Sequence, residues 1–417
     1  MSDSKGNILI VGAGIIGIAC AHYLHEDGYQ VTVIDKGSVA GACSRSNCGH
    51  ILPSHILPLN NISALKTAFF SLFKKKAAFK ITPSMDTRFL RWLWHFIRCC
   101  FGGKQSATQG LYNLLSSSFD EYKALISSMM IKCDWQQNGL LYLFKSPSKI
   151  SEFQSVNAWC RDHFNVEAQF LKEDELSAFD PAIADAMAGG FFYAEDGHLR
   201  PDLLAQEWAA ALKKQGVTFI EDCELLGLET VGRRVTTAQT SQQEFHPDHL
   251  VLATGAYSQN LERHFKASIP IQPGKGYSLT LKKPKVSPRI SMVLPEVNIA
   301  ITPFSHQLRL GSIMEFSGFD DSIPEFRMQQ LQEDVQPYLK SNLSGPATEK
   351  WCGWRPMTWD SLPMIGRAPL MENTFFAVGH NMIGLMTAPA TGKLIAEMIS
   401  GTSTHIPATP FSPNRFQ

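Results

Sequence analysis

Apolar runs and turn residues alternate along this chain in a way that marks out its elements. Asn7-Ile8-Leu9-Ile10-Val11 has the length and composition of a short buried strand, and residues 18–27 beyond it carry helical spacing. Gly28 ends that helix, and Gln30-Val31-Thr32-Val33-Ile34 forms a second strand. Further strands are expected at 217–220, 250–255 and 375–378, and helices at 201–215, 325–339 and 387–399. Pro201 suits the first position of its helix, and Gly216 its end. Between these, 286–311 breaks into short alternating runs such as Asn298-Ile299-Ala300-Ile301-Thr302, the pattern of an antiparallel sheet. Interleaved strands and helices predict an α/β chain. Residues after Gly401, rich in Thr, Ser and Pro, read as a tail.

The turn between the first strand and helix is Gly12-Ala13-Gly14-Ile15-Ile16-Gly17. Gly12 permits the tight turn, Gly14 lets a pyrophosphate approach the backbone, and Gly17 lets helix pack on strand. The helix N-terminus, reached through Ile15 and Ile16 of this turn, then faces the phosphates. The second strand delivers Asp35, with Lys36 beside it, to the place where a carboxylate bonds a ribose hydroxyl. A bare GxGxxG is a weak signal; placed between strand and helix with an acid at this distance, it points to a dinucleotide.

Three later segments favour a flavin dinucleotide over a nicotinamide one. The strand at 250–252 runs into Ala253-Thr254-Gly255, which resembles the returning strand of flavoprotein FAD domains. The strand at 375–378 leads into Gly379-His380-Asn381-Met382-Ile383-Gly384, then Leu385, Met386 and Thr387 at the start of a helix. The positive end of that helix can oppose charge on a reduced flavin. The stretch from Gly41 to His50, with Ser44, Asn47 and Gly49, is small and polar enough to lie against a flavin.

Composition removes several classes of function. The chain has 417 residues, 44% of them apolar, enough for a large core in two or three domains. Lys and Arg (38) balance Asp and Glu (38), so no global charge marks a nucleic-acid binder. The nine cysteines form no CxxC pair and no metal-ligand spacing, and reduced thiols in a cytoplasmic protein fit them. The apolar run 8–20 is too short for a membrane span and carries three glycines, and no charged leader with a small-residue cleavage site precedes it.

Charge is uneven locally. Residues 66–104 hold Lys or Arg at 66, 74, 75, 76, 80, 88, 91, 98 and 104 against Asp86 alone, interleaved with Phe69, Phe70, Phe73, Phe79, Phe89, Trp92, Trp94, Phe96 and Phe101. Such alternation suits an interfacial helix on an anionic membrane surface. It equally suits a helical pair whose aromatics pack inward while its lysines are solvated.

Taken together, these motifs resemble the FAD-dependent D-amino-acid dehydrogenase family, within the wider glycine oxidase and sarcosine oxidase group. The resemblance spans nearly the whole chain: the glycine fingerprint, the SxSNxG run from Ser44 to Gly49, the ATGAYS run, a run from Pro270 to Gly276-Tyr277-Ser278, and Gly353-Trp354-Arg355-Pro356-Met357-Thr358 followed by Asp360, Pro363 and Gly366. It implies a Rossmann-like FAD domain assembled from separated segments (1–85, 198–267 and 350–417), with an inserted α+β substrate domain (86–197 and 268–349). It further implies non-covalent FAD, with Leu225 contacting adenine through its backbone.

The resemblance assigns Arg355 to the substrate carboxylate, which a guanidinium grips through two parallel charge-assisted hydrogen bonds. His50 and Tyr277 are the other catalytic candidates. The chain departs from the family at His50, where Gln is more frequent, and at Cys48, where Ala is usual. The implied reaction is oxidative deamination of a D-amino acid, or of a D-imino acid such as a D-hydroxyproline. Hydride leaves the α carbon for flavin N5, and the imine hydrolyses to a 2-oxo acid and ammonia. A membrane quinone is the implied electron acceptor, with the protein peripheral on the inner face of the cytoplasmic membrane. Two other readings remain open: an oxygen-using glycine or sarcosine type of oxidase, and a dinucleotide-binding redox sensor without catalysis.

Overall fold

The computed structural model describes residues 5–60, 79–82, 86–103, 105–265 and 267–417. Its first sheet has six strands, ordered Met364–Arg367, Thr374–Val378, His249–Leu252, Asn7–Val11, Gln30–Ile34 and Thr218–Ile220. Asn7–Val11 lies at the centre, parallel to both neighbours, with Ile10 opposite Val33 on one side and Val251 on the other. A strand with partners and packing on both sides is apolar throughout, which is why NILIV shows no alternation.

The helix Ile15–Glu26 follows at once and is buried continuously from Ile15 to Leu24. It shows no polar stripe because it is covered by the sheet and by the helix Gly384–Ser400. The two helices approach so closely that a Cβ at Gly392 would sit 2.5 Å from the Ala19 carbonyl oxygen. A third helix, Gln105–Ser128, joins the same core, its Tyr122 hydroxyl donating to the Leu385 carbonyl. Both cofactor-side helices begin three residues earlier than the sequence pattern suggests, because each starts within the apolar turn that precedes it.

The second sheet has nine strands. Ala347–Met357 forms one edge, followed by Gln272–Lys282, Gln307–Phe316, Ile299–Pro303 and Ser291–Leu294, then Leu140–Phe144, Gly189–Tyr193 and Gln169–Lys172. The short strand Phe79–Ile81 pairs with Met314 to Phe316. The antiparallel run expected over 286–311 is present, and the helix expected at 325–339 is α-helical over Glu325–Val335.

Two features depart from the division read from sequence. Ala347–Met357 pairs with Gln272–Lys282 along its length, so a boundary at 350 cuts a strand of the second sheet. Gln105–Ser128, allotted to the inserted part, packs instead on the helices of the first sheet. Local patterning cannot show which sheet or core a segment joins, because that choice is made by distant partners. The segment after Gly401 is no loose tail either. Phe411 and Phe416 are buried, and Arg415 pairs with Asp360 at 2.6 Å.

Candidate active site

At the carboxyl ends of Asn7–Val11 and His249–Leu252 the glycine loop meets the ATG turn. This is the crevice where open α/β sheets hold dinucleotides. Gly12 has φ +108°, and a Cβ there would lie 2.5 Å from the Ala253 carbonyl oxygen. A Cβ on Gly17 would lie 1.8 Å from the Gly12 oxygen, whereas one on Gly14 would approach only the Ser44 hydroxyl. Two glycines therefore serve packing, and Gly14 keeps the approach to the helix clear.

The Ile15 N–H donates to Ser44 Oγ at 2.9 Å, and the helix has no cap from its own N-cap residue. Asp35 accepts from the Ala13 N–H at 2.7 Å and from the Gly37 N–H at 2.9 Å, which fixes its carboxylate beside the loop. Ile15 and Ile16 bury their side chains in the core, so only their backbone is offered to a ligand. The exposed Lys36 lies 3.5 Å over the Tyr257 ring. Leu225 opens a small three-stranded sheet and packs in the same apolar cluster as Ile34. Thr254 meets Ser258, and Gly255 turns at φ +55°. Unobstructed glycine, backbone donors and a fixed carboxylate suit the pyrophosphate and ribose of FAD.

The second turn, before Gly384–Ser400, is locked from within. Gly379 has φ +73°, and a Cβ there would meet Thr358 at 2.7 Å. Asn381 accepts from the Thr358 N–H and donates to the Gly379 carbonyl, tying the turn to the end of the edge strand. His380 is buried with Nε2 3.1 Å from Thr391 Oγ1, and burial pulls its pKa down to about 3. It is a neutral packing group, so its contribution to a ligand is confined to its backbone. Leu385 and Met386 open the helix, and Thr387 bonds back to the Ile383 carbonyl.

Arg355 and its neighbours stand on one face of the second sheet. Residues directly opposite one another share a face, so Gly274, Gly276, Ser278 and Thr280 stand with their partners Arg355, Gly353, Trp351 and Glu349. Gly311 and Arg309 join from the next strand. Arg355 lies across Gly276, where a Cβ would come within 2.1 Å of Nη1. Its Nη1 donates to the Ile313 carbonyl at 3.0 Å, and no carboxylate among the described residues lies within ion-pair distance. Asp360, five positions on, pairs with Arg415 instead.

Cys43 and Cys48 are the ionisable neighbours of this guanidinium, and burial raises both thiols, Cys43 to about 11. They remain neutral and leave the positive charge uncompensated. Burial in turn draws the Arg355 pKa below its ordinary value, against the favourable influence of the thiols. Of the three tryptophans near it in sequence, Trp351 shares its face, Trp354 packs on Tyr257 and Phe319, and Trp359 lies between His95 and Phe416.

Two catalytic candidates fall elsewhere. Tyr277 is adjacent to Gly276 along the strand, so its side chain enters the opposite face, where its hydroxyl donates to Glu315 at 2.6 Å. His50 is buried at the end of the loop with Nε2 3.0 Å from Thr302 Oγ1, and its short strand pairs with Gly197–His198. Burial, then the neighbouring His198, lowers its pKa to about 3, which makes it a poor proton acceptor near neutrality. Asn47 stabilises the loop internally by donating to the Cys43 carbonyl and accepting from the Gly49 N–H. A Cβ on Gly49 would lie 2.0 Å from the Leu199 carbonyl oxygen.

Sequence reasoning missed the polar row Ser278, Thr280, Thr302, Arg309 and Glu349 that faces this loop. The signal was present as period-two small and polar positions in Gly274-Lys275-Gly276-Tyr277-Ser278-Leu279-Thr280.

A nucleotide domain on a largely parallel sheet, joined through the loop at 43–49 to a second sheet that carries a guanidinium, defines a dinucleotide-dependent enzyme of the two-sheet flavoprotein type. The chain belongs to the FAD dependent oxidoreductase family, whose model matches residues 7–398, and FAD is its cofactor. It is 28% identical over 416 residues to a D-amino acid dehydrogenase of Vibrio atlanticus, covering 98% of this chain and 99% of that one. In three dimensions it is similar to glycine oxidase from Geobacillus kaustophilus (TM-score 0.81, 20% identity, 99% of each chain). It is also similar to L-proline dehydrogenase from P. horikoshii (TM-score 0.75, 20% identity, 99% of this chain and 98% of that one).

Proposed function

We propose that this oxidoreductase acts on D-amino acids, or on a D-imino acid such as a D-hydroxyproline, and passes the electrons to a membrane quinone. The carrying observation is Arg355, a guanidinium with one carbonyl partner and two neutral thiols beside it. A substrate carboxylate supplies the missing counter-charge and takes two parallel N–H donors, which fixes the attached α carbon. FAD, when bound, supplies the two-electron acceptor. The amine enters unprotonated, so no side chain need act as base, and the neutral histidines of the site fit that requirement. Loss of hydride from the α carbon leaves an iminium, which releases a proton to water to give the imine. From a primary amine, water adds to it and the C–N bond breaks, giving a 2-oxo acid and ammonia; a cyclic imino acid yields the ring imine, whose hydrolysis opens the ring without releasing ammonia. The curated relatives named as D-amino acid dehydrogenases support the choice of substrate.

Anaerobic mixing of the yellow protein with D-amino acids, D-imino acids and their L enantiomers tests this reading. The D forms should bleach the flavin and a soluble quinone should restore it. Bleaching by L forms alone, or by no amino or imino acid, would overturn it. Peroxide production in air at the quinone-linked rate would replace the dehydrogenase with an oxidase.

The helix Thr87–Cys100 supports the membrane side of the proposal. Phe89 and Trp92 pack inward on Phe316, while Leu90, Trp94 and Ile97, with Phe101 beyond, are 48, 52, 39 and 71% exposed. These four recur at helical spacing, and the exposed Arg88, Arg91 and Arg98 flank them. Lys66, Lys74, Lys75, Lys76 and Lys104 lie outside the described residues. No helix among the described residues is long and apolar enough to cross a membrane, so the contact proposed is peripheral. Vesicles containing anionic lipid should bind the protein, less so as salt rises, and Trp94→Ser should weaken binding several-fold. Equal binding to neutral vesicles, or none to either kind, would refute it.

A further inference from the structure

Arg309 is the most fully bonded cation on the face that carries Arg355. Its Nε donates to Thr280 Oγ1 at 3.0 Å, Nη1 to the Asn47 carbonyl at 2.9 Å and Nη2 to Glu349 Oε2 at 3.0 Å. Glu349 accepts from Ser46 Oγ at 3.0 Å through its other oxygen. Ser278 Oγ donates to the Ser46 carbonyl at 2.8 Å, and Thr302 Oγ1 to the Cys48 carbonyl at 2.6 Å. Three successive carbonyls, at 46, 47 and 48, are thus each held by a side chain of the second sheet. The same loop is held by the first sheet's helix through the Ile15 N–H on Ser44.

The loop at 43–49 therefore bridges the two halves of the site, and side-chain bonds set its position. We propose that the Arg309–Glu349 pair is a positioning latch: it fixes this loop against the flavin and so sets the alignment between the redox ring and the α carbon held by Arg355. The inference rests on the reading above that the loop borders the flavin and that Arg355 holds the carboxylate. Reactions that need reacting atoms in contact lose rate steeply when one partner is displaced, even where binding survives. The latch should consequently affect the rate of flavin reduction far more than substrate affinity.

Anaerobic rapid mixing of the flavin-loaded enzyme with D-alanine, or the best substrate of the panel, measures both quantities. Arg309→Met should lower the limiting reduction rate at least tenfold while the substrate dissociation constant changes less than threefold, with an altered visible circular dichroism of the bound flavin. Arg309→Lys, which keeps a charge for Glu349, should recover most of the rate. A wild-type limiting rate in Arg309→Met would overturn the latch, as would loss of FAD content with a normal rate in the flavin-bound fraction. If Arg309→Met does not fold, Glu349→Gln at a partly exposed edge position and Ser278→Ala carry the same test, each expected to cost threefold or more in rate. A wild-type protein that no substrate bleaches would sink the underlying reading instead, which keeps the two failures distinct.

Discussion

The two faces of the strand Gln272–Lys282 treat charge in opposite ways. On one face the cations are matched by acceptors. Lys275 is fully buried and donates to Asp320 and Ser322, while Arg327 forks onto Glu315, which also accepts from Tyr277. On the other face Arg309 is matched by Glu349, but among the described residues Arg355 bonds only a backbone carbonyl. A buried ion pair completed within the protein supports structure, whereas a partly buried guanidinium without its own anion is prepared for one brought by a ligand. The difference separates Tyr277 from Arg355, which lie three positions apart in strand register.

The largest expected effect lies on the paired face. Glu315→Ala removes the carboxylate shared by Arg327 and the Tyr277 hydroxyl, leaving the buried charge of Arg327 without its counter-ion, and should cost about 3–5 kcal/mol in denaturant unfolding. Substrate affinity in the surviving fold should be unchanged; an impaired KM at normal stability would mean that the two faces are not separate. Arg355→Ala should act inversely. It should retain FAD and lose about 10²–10³ in kcat/KM, the equivalent of two charge-assisted hydrogen bonds. Turnover at the parent rate would remove Arg355 from the site.

A milder perturbation moves the guanidinium without deleting it. Gly276→Ala places a methyl 2.1 Å from Nη1 and 2.4 Å from Cζ, so the flexible side chain must shift. KM should rise roughly tenfold, about 1.4 kcal/mol, with a smaller change in stability. The smallest effect is expected from Tyr277→Phe, which removes one hydrogen bond worth about 1 kcal/mol of stability. Its kcat/KM should stay within twofold; a hundredfold loss would return Tyr277 to the catalytic group.

The legible part of this molecule was the part built from consecutive residues. The fingerprint from Asn7 to Asp35 could be read because its strand, turn and helix are encoded side by side, and its glycines have local reasons. The motif around Arg355 singled out that side chain, which the structure places across Gly276 with a bond to the Ile313 carbonyl. The faces of the second sheet were not, because Tyr277 follows Gly276 directly and only strand register separates them. His50 and His380 read as polar and available, yet burial leaves both neutral and committed to Thr302 and Thr391. The loop tethers at Ser278, Thr302, Arg309 and Glu349 join positions more than 230 residues apart from their targets, beyond any local pattern.

The six-stranded sheet sets its first strand beside His249–Leu252, with Thr374–Val378 next, and Phe411 and Phe416 seal the layers beneath. During synthesis, then, the strands at 7–11 and 30–34 can meet at once, but they wait for 218–220 and 249–252, and the helix at 15–26 waits longer still for its cover from 384–400. The nucleotide half cannot mature as an independent nascent unit, and its apolar first strand and helix need shielding for most of translation.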